Sequence, residues 1–238
     1  MKLTYNGIEV DFFPKGIPNR ILLSLSGGLD STSLLYLLTK YFPQIEIYIY
    51  TGIDAGAPFD IICARDSIEW VKSKFPNHNI KEHYALPFDA SDPEYLKQAE
   101  ELPDDDPAKS MHPFGTSKNL QTRNHVQMCK DKCKPDHFVT ATTANPPDQV
   151  MKDRGFYNIA EPVRNEPHNR DAYRGDLYAP YINANKRFVA GVYKENGLMD
   201  DLFHFTGSCV GDAIKTDNYN KECGTCFWCK EKEWAFED

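Results

Sequence analysis

The sequence is short of positive charge and contains no long uninterrupted hydrophobic segment. Lysine and arginine total 27 against 35 aspartate and glutamate residues, which gives a formal net charge of −8. A protein that coats nucleic acid needs a surplus of cations on at least one face, so this balance argues against that class. The opening residues have no apolar run of signal-peptide length, and no stretch approaches a membrane span. We therefore expect a cytoplasmic protein.

Two common nucleotide-binding patterns are also absent. The sequence has no Gly-x-x-x-x-Gly-Lys, in which a lysine reaches the terminal phosphates of a nucleotide. It also lacks Gly-x-Gly-x-x-Gly, the pattern of dinucleotide-binding folds. These absences argue against a motor that hydrolyses the γ-phosphate and against a dehydrogenase.

The order of apolar segments predicts an α/β fold. The chain has 238 residues, of which 41% are hydrophobic, enough for one main domain with an appendage. Strands are predicted at residues 20–25, 45–50, 80–86 and 137–142. Helices are predicted from Asp30 onward and at residues 58–75, 119–132 and 183–195, the last being the final helix. Strands that alternate with helices predict a parallel sheet with right-handed crossovers.

Two segments lie outside this alternation. Asn6-Gly7 stands between two alternating runs and predicts a β-hairpin, because both turn positions favour positive φ. We interpret this hairpin as an edge ribbon. Residues 89–106 contain eight acidic residues and the single base Lys97, and we interpret them as a solvated loop between core elements.

A glycine-rich turn connects the first predicted strand to the first predicted helix. It consists of Ser26, Gly27, Gly28, Leu29, Asp30 and Ser31, and is called the glycine turn below. Backbone N–H groups at a helix N-terminus bind anions, the two glycines let a polyphosphate approach the main chain, and the serine hydroxyls add donors. Asp30 and Ser31 are also residue types that cap helices. A plain turn with a cap is the alternative, but the complete pattern favours phosphate binding.

Four of the seven cysteines form a closely spaced set near the end of the sequence. Cys223, Cys226 and Cys229 have Cys-x-x-Cys-x-x-Cys spacing, and Cys209 precedes them by a gap of thirteen residues. Four thiolates in this arrangement can form a tetrahedral Zn²⁺ site. An iron–sulfur cluster is the main alternative, because spacing alone does not separate the two. His204 is interpreted as a surface or supporting residue. Cys129 and Cys133 lie four residues apart on a predicted helix, which favours burial on one face over a redox or sulfur-carrying pair.

The glycine turn resembles the signature of the PP-loop ATP pyrophosphatase superfamily, Ser-Gly-Gly-x-Asp-Ser. The resemblance implies a Rossmann-like (adenine nucleotide α-hydrolase-like) parallel sheet flanked by helices. It also implies that ATP and Mg²⁺ bind at the turn, that a substrate oxygen attacks the α-phosphorus, and that pyrophosphate leaves. Asp30 and Ser31 would be catalytic residues, and Gly52 would lie beside the adenosine. The implied nucleotide-binding residues are Leu25, Ser26, Gly27, Gly28, Leu29, Asp30, Ser31, Thr32 and Gly52.

Further stretches are similar to the 7-cyano-7-deazaguanine synthase family. They are Thr122-Arg123-Asn124, Ala179-Pro180-Tyr181 with Asn185-Lys186, and Thr206-Gly207-Ser208-Cys209. The resemblance implies conversion of a 7-carboxy-7-deazaguanine-like acid, with ammonia and ATP, to the amide and the nitrile. Lys186 and Arg123 would be catalytic cations, and Arg123, Asn124 and Asp148 would bind the substrate. The resemblance also implies a homodimer.

The sequence departs from that family at the substrate region. The family's Tyr-Pro-Asp-Cys-Arg string is missing, and a longer segment replaces it, with Arg164, His168, Arg170, Tyr173 and Arg174. A tRNA sulfurtransferase and a nucleotide-binding module without turnover stay open as alternatives, although no RNA-binding appendage is evident. The expected organisation is an N-terminal hairpin (1–19), an ATP-binding α/β domain (20–205) and a C-terminal zinc module (206–238).

Overall fold

The computed structural model describes residues 1–54, 59–106, 108–110, 112–155, 170–209, 214–217 and 221–237. The strands are β1 (Lys2–Tyr5), β2 (Ile8–Asp11), β3 (Arg20–Ser24), β4 (Glu46–Asp54), β5 (Ile80–Phe88), β6 (His137–Val139), β7 (Tyr173–Arg174) and β8 (Leu177–Tyr178). The helices are α1 (Leu29–Tyr41), α2 (Phe59–Lys74), α3 (Pro93–Glu101), α4 (Pro113–Cys133), α5 (Asp148–Asp153), α6 (Lys186–Glu195) and α7 (Phe227–Phe236), with a 3₁₀ turn at Leu202–Phe205. None of the described helices is both long and apolar enough to span a membrane.

The main sheet has six strands in the order β5-β4-β3-β6-β8-β7. Among the described strands, the first five pair in parallel, and β7 runs antiparallel as the partner of β8. The parallel sheet with crossover helices confirms the predicted α/β class. Strand β4 continues to Asp54, beyond its predicted end, and β6 ends at Val139, before its predicted end.

Both faces of β3 are covered by helices, as a parallel sheet requires. Ile21 and Leu23 belong to the large core that contains residues of α1, α2 and α6. Leu22 faces the other way, into a smaller cluster with Cys129 and Cys133 of α4. These two cysteines are 0% and 3% exposed, which confirms the prediction that they are buried on one helix face.

The N-terminal hairpin forms as predicted, but it is not an edge of the main sheet. Strands β1 and β2 make a separate two-stranded antiparallel sheet, with φ of 49° at Asn6 and 72° at Gly7 in the turn. Tyr5 packs edge-on against Phe188 of α6, with ring centroids 5.6 Å apart. Gly191 allows this close approach, since a Cβ there would lie 2.8 Å from the backbone nitrogen of Asn6. The interpretation as an edge ribbon was wrong, because the apolar side of the hairpin is buried on a helix.

The acidic segment is not the solvated loop that its composition indicated. It contains α3, whose first turn is capped by Asp92: the carboxylate accepts hydrogen bonds from the N–H groups of Glu94 (2.9 Å) and Tyr95 (3.4 Å). Ala99 of α3 is 3% exposed and packs in a cluster with Leu120 of α4. An aspartate cap followed by proline is a helix start signal, and it outweighs the charge of the segment.

The last predicted helix begins later than expected and is not the final one. Asn185 is the N-cap of α6, and its side chain accepts a hydrogen bond from the N–H of Arg187 at 3.0 Å. Helix α7 follows within the cysteine region and begins directly after Cys226. Cys229 therefore lies in a helix, and this helix packs against α6.

Candidate functional site

The glycine turn lies at the carboxyl end of β3, between the neighbouring strands β4 and β6. The N–H of Leu25 continues the pairing with β4 by donating to the carbonyl oxygen of Tyr50 at 2.9 Å. Gly28 is the N-cap of α1 and has no side-chain capping bond, so Asp30 and Ser31 lie inside the first helical turn and do not cap it. Neither residue is therefore the N-cap, which was the alternative role that their residue types allowed.

The two serines of the glycine turn hold its shape. The N–H of Ser26 donates to Oγ of Ser31 at 3.2 Å, and the N–H of Gly28 donates to Oγ of Ser26 at 3.3 Å. The Ser31 hydroxyl in turn donates to the carbonyl oxygen of Gly28 at 3.2 Å. The turn is therefore organised by its own side chains.

Gly27 is required by both its conformation and its surroundings. Its φ is +75°, and a Cβ would lie 2.7 Å from the carbonyl oxygen of Asp60, the nitrogen of Ala64 and the Cβ of Cys63. All three atoms belong to α2. The absence of a side chain at Gly27 therefore lets the glycine turn lie directly against the beginning of α2.

A segment leading into the cysteine region lies along the other side of the turn. The N–H of Gly207 donates to the carbonyl oxygen of Gly27 at 3.0 Å, and the N–H of Leu29 donates to Oγ of Ser208 at 3.3 Å. Ser208 thus occupies one of the donors at the N-terminus of α1. Because Cys209 follows directly, the glycine turn and the cysteine region are in contact through the main chain.

The glycine turn opens into a cavity of about 280 Å³, called the turn cavity below. Besides the turn it is lined by Asp60 of α2, Lys186 of α6, Ser208, Cys209 and Trp228 of α7. Lys186 had been singled out from the sequence, whereas Asp60 and Trp228 had not. No motif spacing marks those two residues, because only the packing of α2 and α7 brings them to the turn.

Lys186 is the charged centre beneath this cavity. Its residue is 1% exposed, and its Nζ lies 3.1 Å from Oδ2 of Asp30 and 3.3 Å from Oε2 of Glu231. Glu231 belongs to α7 and is 0% exposed. A buried ammonium paired with two carboxylates joins the glycine turn, α6 and α7 in one ionic cluster, called the lysine cluster below. The structure thus places Lys186 beside the glycine turn, and its catalytic role stays a prediction.

A second cavity, of about 310 Å³, lies on the β6 side of the turn and is called the threonine cavity below. Its wall includes Thr140, Thr142 and Thr143, which follow β6, and Ser24 at the end of β3. It shares four lining residues with the turn cavity: Ser26, Asp30, Ser31 and Trp228. The two cavities are therefore neighbours that meet at the glycine turn.

The carboxylate of Asp60 is perturbed by its surroundings. Burial raises its pKa to about 6, with Lys118 opposing the shift and Asp54 adding to it. Near neutral pH this group is close to its titration range. A carboxylate with this pKa beside a phosphate-type turn is a candidate ligand for a cation that would favour its charged form.

The predicted substrate residues lie away from both cavities. Arg123 is exposed and its Nη1 donates to Oδ1 of Asp106 at 3.3 Å, while Asn124 donates to Oη of Tyr95 at 3.1 Å. Asp148 is an exposed residue in the first turn of α5. These three residues are not brought to the glycine turn, and their substrate role stays a prediction. Arg164 and His168 lie outside the described residues.

The other predicted nucleotide residues have structural surroundings of their own. Leu25 and Thr32 are buried at 0% exposure, and the Thr32 hydroxyl donates to Oγ of Ser67 at 3.4 Å. Gly52 lies in β4, where a Cβ would be 3.1 Å from Oη of Tyr50. The turn residues and Lys186 are brought together, while Gly52 lies on the neighbouring strand, outside the two described cavities.

The four terminal cysteines converge. The Sγ atoms of Cys209, Cys223, Cys226 and Cys229 all lie within 4.8 Å of one another. Sγ of Cys229 is 3.9 Å from that of Cys223 and 3.5 Å from that of Cys226. His204 is exposed and is not part of this group. Cys226 is the N-cap of α7 and Cys229 lies in its first turn, so the start of this helix positions two of the four sulfur atoms.

The surroundings of the Cys223 sulfur favour its thiolate form. Burial acts to raise its pKa, but hydrogen bonds from the backbone and hydroxyl of Thr225 and from the backbone N–H of Cys226 lower it to about 6. The N–H of Cys223 itself donates to Sγ of Cys209 at 3.2 Å. Such N–H···S bonds favour thiolates, which are the form that binds metal.

The comparisons with known proteins give structural likeness only. No family model matches the chain, and no curated protein matches it. Among solved structures, it is similar to the NMN synthetase from Francisella tularensis, at 12% identity, a TM-score of 0.48 and coverage of 92% of this chain and 84% of that one. It is similar to the NAD⁺ synthetase from Burkholderia pseudomallei, at 15% identity, a TM-score of 0.43 and coverage of 89% and 81%.

A further similar structure is the U34-tRNA thiolase NcsA from Methanococcus maripaludis, with its 4Fe-4S cluster. The identity is 13%, the TM-score is 0.46, and the alignment covers 75% of this chain. The chain spans 57% of the length of that thiolase. Similarities this low do not identify a function.

Proposed function

We propose that the protein is an ATP-dependent synthase of the PP-loop ATP pyrophosphatase type, which adenylates a 7-carboxy-7-deazaguanine-like acid and converts it with ammonia to the amide and the nitrile. The observation that supports this most is Lys186, a buried cation that lines the same cavity as the glycine turn. An ammonium group beside the N-terminus of a helix makes a site for concentrated negative charge. The complete Ser-Gly-Gly-x-Asp-Ser sequence at that helix supports a polyphosphate as the ligand.

In this proposal the chain positions the nucleotide and stabilises charge. Backbone N–H groups and the hydroxyls of Ser26 and Ser31 hold the β- and γ-phosphates. Lys186 stabilises the charge that develops on the leaving pyrophosphate. An oxygen of the acid attacks the α-phosphorus, the bond to pyrophosphate breaks, and the product is an acyl-adenylate.

Conversion to the nitrile needs two such activations. Ammonia attacks the acyl carbon, AMP leaves, and the amide forms with loss of a proton. The amide oxygen then attacks the α-phosphorus of a second ATP and pyrophosphate leaves, which gives an imidoyl-adenylate. Loss of AMP and of both protons of the amide nitrogen gives the nitrile. Each nitrile therefore requires two ATP, because two carbon–oxygen bonds of the acid are broken.

The residues of the turn cavity fit Mg²⁺. The lysine cluster has two carboxylates for one ammonium, and the carboxylate of Asp60 lines the turn cavity together with that of Asp30. A polyphosphate therefore needs a further cation to enter, and oxygen ligands are those that Mg²⁺ prefers. We propose that Asp30 and Asp60 hold Mg²⁺ together with the phosphates. The ion would neutralise charge on the β- and γ-phosphates.

The cysteine cluster fits a single Zn²⁺ ion. Four thiolates at about 2.3 Å from one tetrahedral ion lie about 3.8 Å from each other. The observed 3.5 and 3.9 Å separations are close to that value. In a 4Fe-4S cluster each thiolate binds a different iron, which spreads the sulfurs further apart. We therefore propose Zn²⁺, held by Cys209, Cys223, Cys226 and Cys229, as a structural ion.

The proposed partners are small molecules. The acid and ammonia are the substrates, no nucleic acid is a direct substrate, and a homodimer is retained as a prediction. The burial of Cys129 and Cys133 argues against these two thiols as sulfur carriers, since a carrier must reach its acceptor.

The proposal is tested by incubating the protein with ATP, Mg²⁺, ammonia and 7-carboxy-7-deazaguanine. We expect AMP and pyrophosphate in equal amounts, and two AMP for each nitrile found by mass spectrometry. Release of ADP and orthophosphate would contradict attack at the α-phosphorus. AMP formation with a different acid would keep the adenylation chemistry and remove the deazaguanine substrate.

A variant of the turn gives the matched test. Asp30→Asn keeps the shape of the side chain and removes its charge. We expect AMP formation to fall by at least 100-fold, because Lys186 loses an ion-pair partner and the proposed Mg²⁺ loses a charged ligand. Asp176→Asn changes an exposed carboxylate that pairs with Lys130. We expect the Asp176 variant to retain wild-type activity, and equal activity of both variants would remove Asp30 from the site.

A further inference from the structure

We propose that Trp228, which lies between two of the cluster cysteines, is the wall on which the planar ring of the acid stacks, and that the threonine cavity is the subsite for that ring. The inference rests on the proposed function and defines its substrate class as a planar, uncharged heteroaromatic ring bearing a carboxylate. It also makes the cysteine cluster part of the substrate site. Trp228 would be a specificity-determining residue.

The first step in the argument is the position of the two cavities about the glycine turn. The turn follows β3, with β4 on one side and β6 on the other. If the adenosine lies at the end of β4, beside Gly52, the β6 side stays free for the second substrate. The threonine cavity lies on that side, since its lining includes Thr140, Thr142 and Thr143.

The second step is the junction between the cavities. Ser26, Asp30, Ser31 and Trp228 line both of them. An acid in the threonine cavity can therefore present its carboxylate at the glycine turn, where the α-phosphorus must lie if the turn holds the outer phosphates. In-line attack needs this adjacency of the two substrates.

The third step is the chemistry of the lining. Among the described residues, the lining of the threonine cavity offers hydroxyl groups and the aromatic ring of Trp228, and Asp30, beside the turn, is its charged member. Hydroxyls and backbone groups match the hydrogen-bonding edges of a neutral heterocycle, while an indole matches its face. A strongly charged or purely aliphatic substrate would leave these groups unmatched.

The fourth step is the support of Trp228. Its ring is half-buried, packs edge-on against Phe227 with ring centroids 5.1 Å apart, and lies 5.7 Å from Nζ of Lys186. Cys226 and Cys229, two ligands of the proposed Zn²⁺ site, flank it in the sequence, so a bound ion would fix its backbone on both sides. A ring held in this way loses little freedom when a second ring stacks on it, which favours stacking as a source of affinity.

The test compares Trp228→Leu, Trp228→Phe and Trp70→Phe. We expect Trp228→Leu to raise KM for 7-carboxy-7-deazaguanine about ten- to a hundred-fold, the loss that follows removal of one base–aromatic stack. The kcat and the Kd for ATP should change less than threefold. Trp228→Phe should restore most of the affinity, because it keeps an aromatic face. Trp70 belongs to α2, packs against Tyr36 of α1 and lines neither of the two described cavities, so its variant should behave as wild type.

Equilibrium binding separates this inference from the proposed function. Binding of 7-carboxy-7-deazaguanine should quench the tryptophan emission of the wild type and of Trp70→Phe, but not that of Trp228→Phe. Metal analysis of each variant shows whether the cluster is retained. If a Trp228 variant loses its metal, the inference is judged from whether the acid quenches the tryptophan emission of the wild type and of Trp70→Phe.

The contrary outcomes are distinct. Equal affinity of the wild type and a metal-loaded Trp228→Leu for the acid would overturn the inference, even if AMP and nitrile form normally. Wild-type protein that binds no heteroaromatic acid would also overturn it, and AMP formation with any other acid then decides the proposed function separately. Quenching that persists in Trp228→Phe would place the ring elsewhere.

Discussion

Lys186 and Arg123 were both selected from the sequence as cations of the active site, yet they occupy opposite kinds of environment. Lys186 is 1% exposed and lies between two carboxylates beside the glycine turn. The Arg123 side chain is 53% exposed and pairs with Asp106 of the acidic segment. A buried ammonium costs free energy unless it is compensated, whereas an exposed ion pair contributes little either way. Of the two cations, Lys186 is therefore the one whose charge depends on buried partners, and we expect larger effects from changing it than from changing Arg123.

The largest expected effect comes from removing the buried cation. Lys186→Met leaves Asp30 and Glu231 without their shared ammonium, and we expect a loss of about 3–5 kcal/mol in the free energy of unfolding. Urea unfolding measures this loss, and AMP release measures the accompanying loss of activity. Full stability with full activity would show that the lysine cluster has no role. Lys194→Met, at the other end of α6, is the control.

A smaller effect is expected when the lysine cluster is disturbed indirectly, by removing a ligand of the proposed Zn²⁺ site. Cys226→Ser removes one thiolate of the proposed Zn²⁺ site, so α7 loses its anchor and Glu231 its fixed position. We expect metal release and a melting temperature lower by about 5–10 °C. Zinc analysis and thermal unfolding check this.

The matched control for that variant is Cys129→Ser, which changes a buried thiol of α4 outside the cluster. It should keep its metal while losing some stability. If Cys226→Ser kept full metal content and folded normally, the assignment of the cluster would be wrong.

The smallest effect is expected from changing Arg123, the exposed member of the pair of cations compared above. Arg123→Met removes a single solvent-exposed pair, and we expect at most about 1 kcal/mol of stability to be lost. AMP formation should stay within twofold of wild type, because Arg123 lines neither cavity. A large drop in kcat would instead support the catalytic role predicted for Arg123 from the sequence.

Local signals gave correct predictions where they act over a few residues. The parallel alternation, the Asn6-Gly7 turn and the glycine turn all depend on contiguous residues, and each is present. The prediction of a solvated loop for the acidic segment was wrong, because its overall charge was given more weight than the helix start at Asp92-Pro93. The hairpin was misplaced because its partner, α6, lies 180 residues further along the chain.

The residues of the site divide in the same way. Ser26, Asp30 and Ser31 lie close together in the sequence, and the spacing of the cysteines predicts that they form a cluster. Asp60 and Trp228 carry no motif, and they reach the turn only because Gly27 admits α2 and because α7 packs on α6. Pairing between Lys186 and Glu231 likewise depends on that packing of α7.

By itself the sequence determined the α/β class, the turn that opens the first helix, and the four thiols near the end of the chain. These features depend on short-range backbone geometry and on side-chain spacing, which the order of residues specifies directly. Only the tertiary structure decided which charges are buried together and which cavities share a wall. Such arrangements depend on helices far apart in the chain coming within a few ångströms, and burial then turns an ordinary lysine and an ordinary tryptophan into parts of one site.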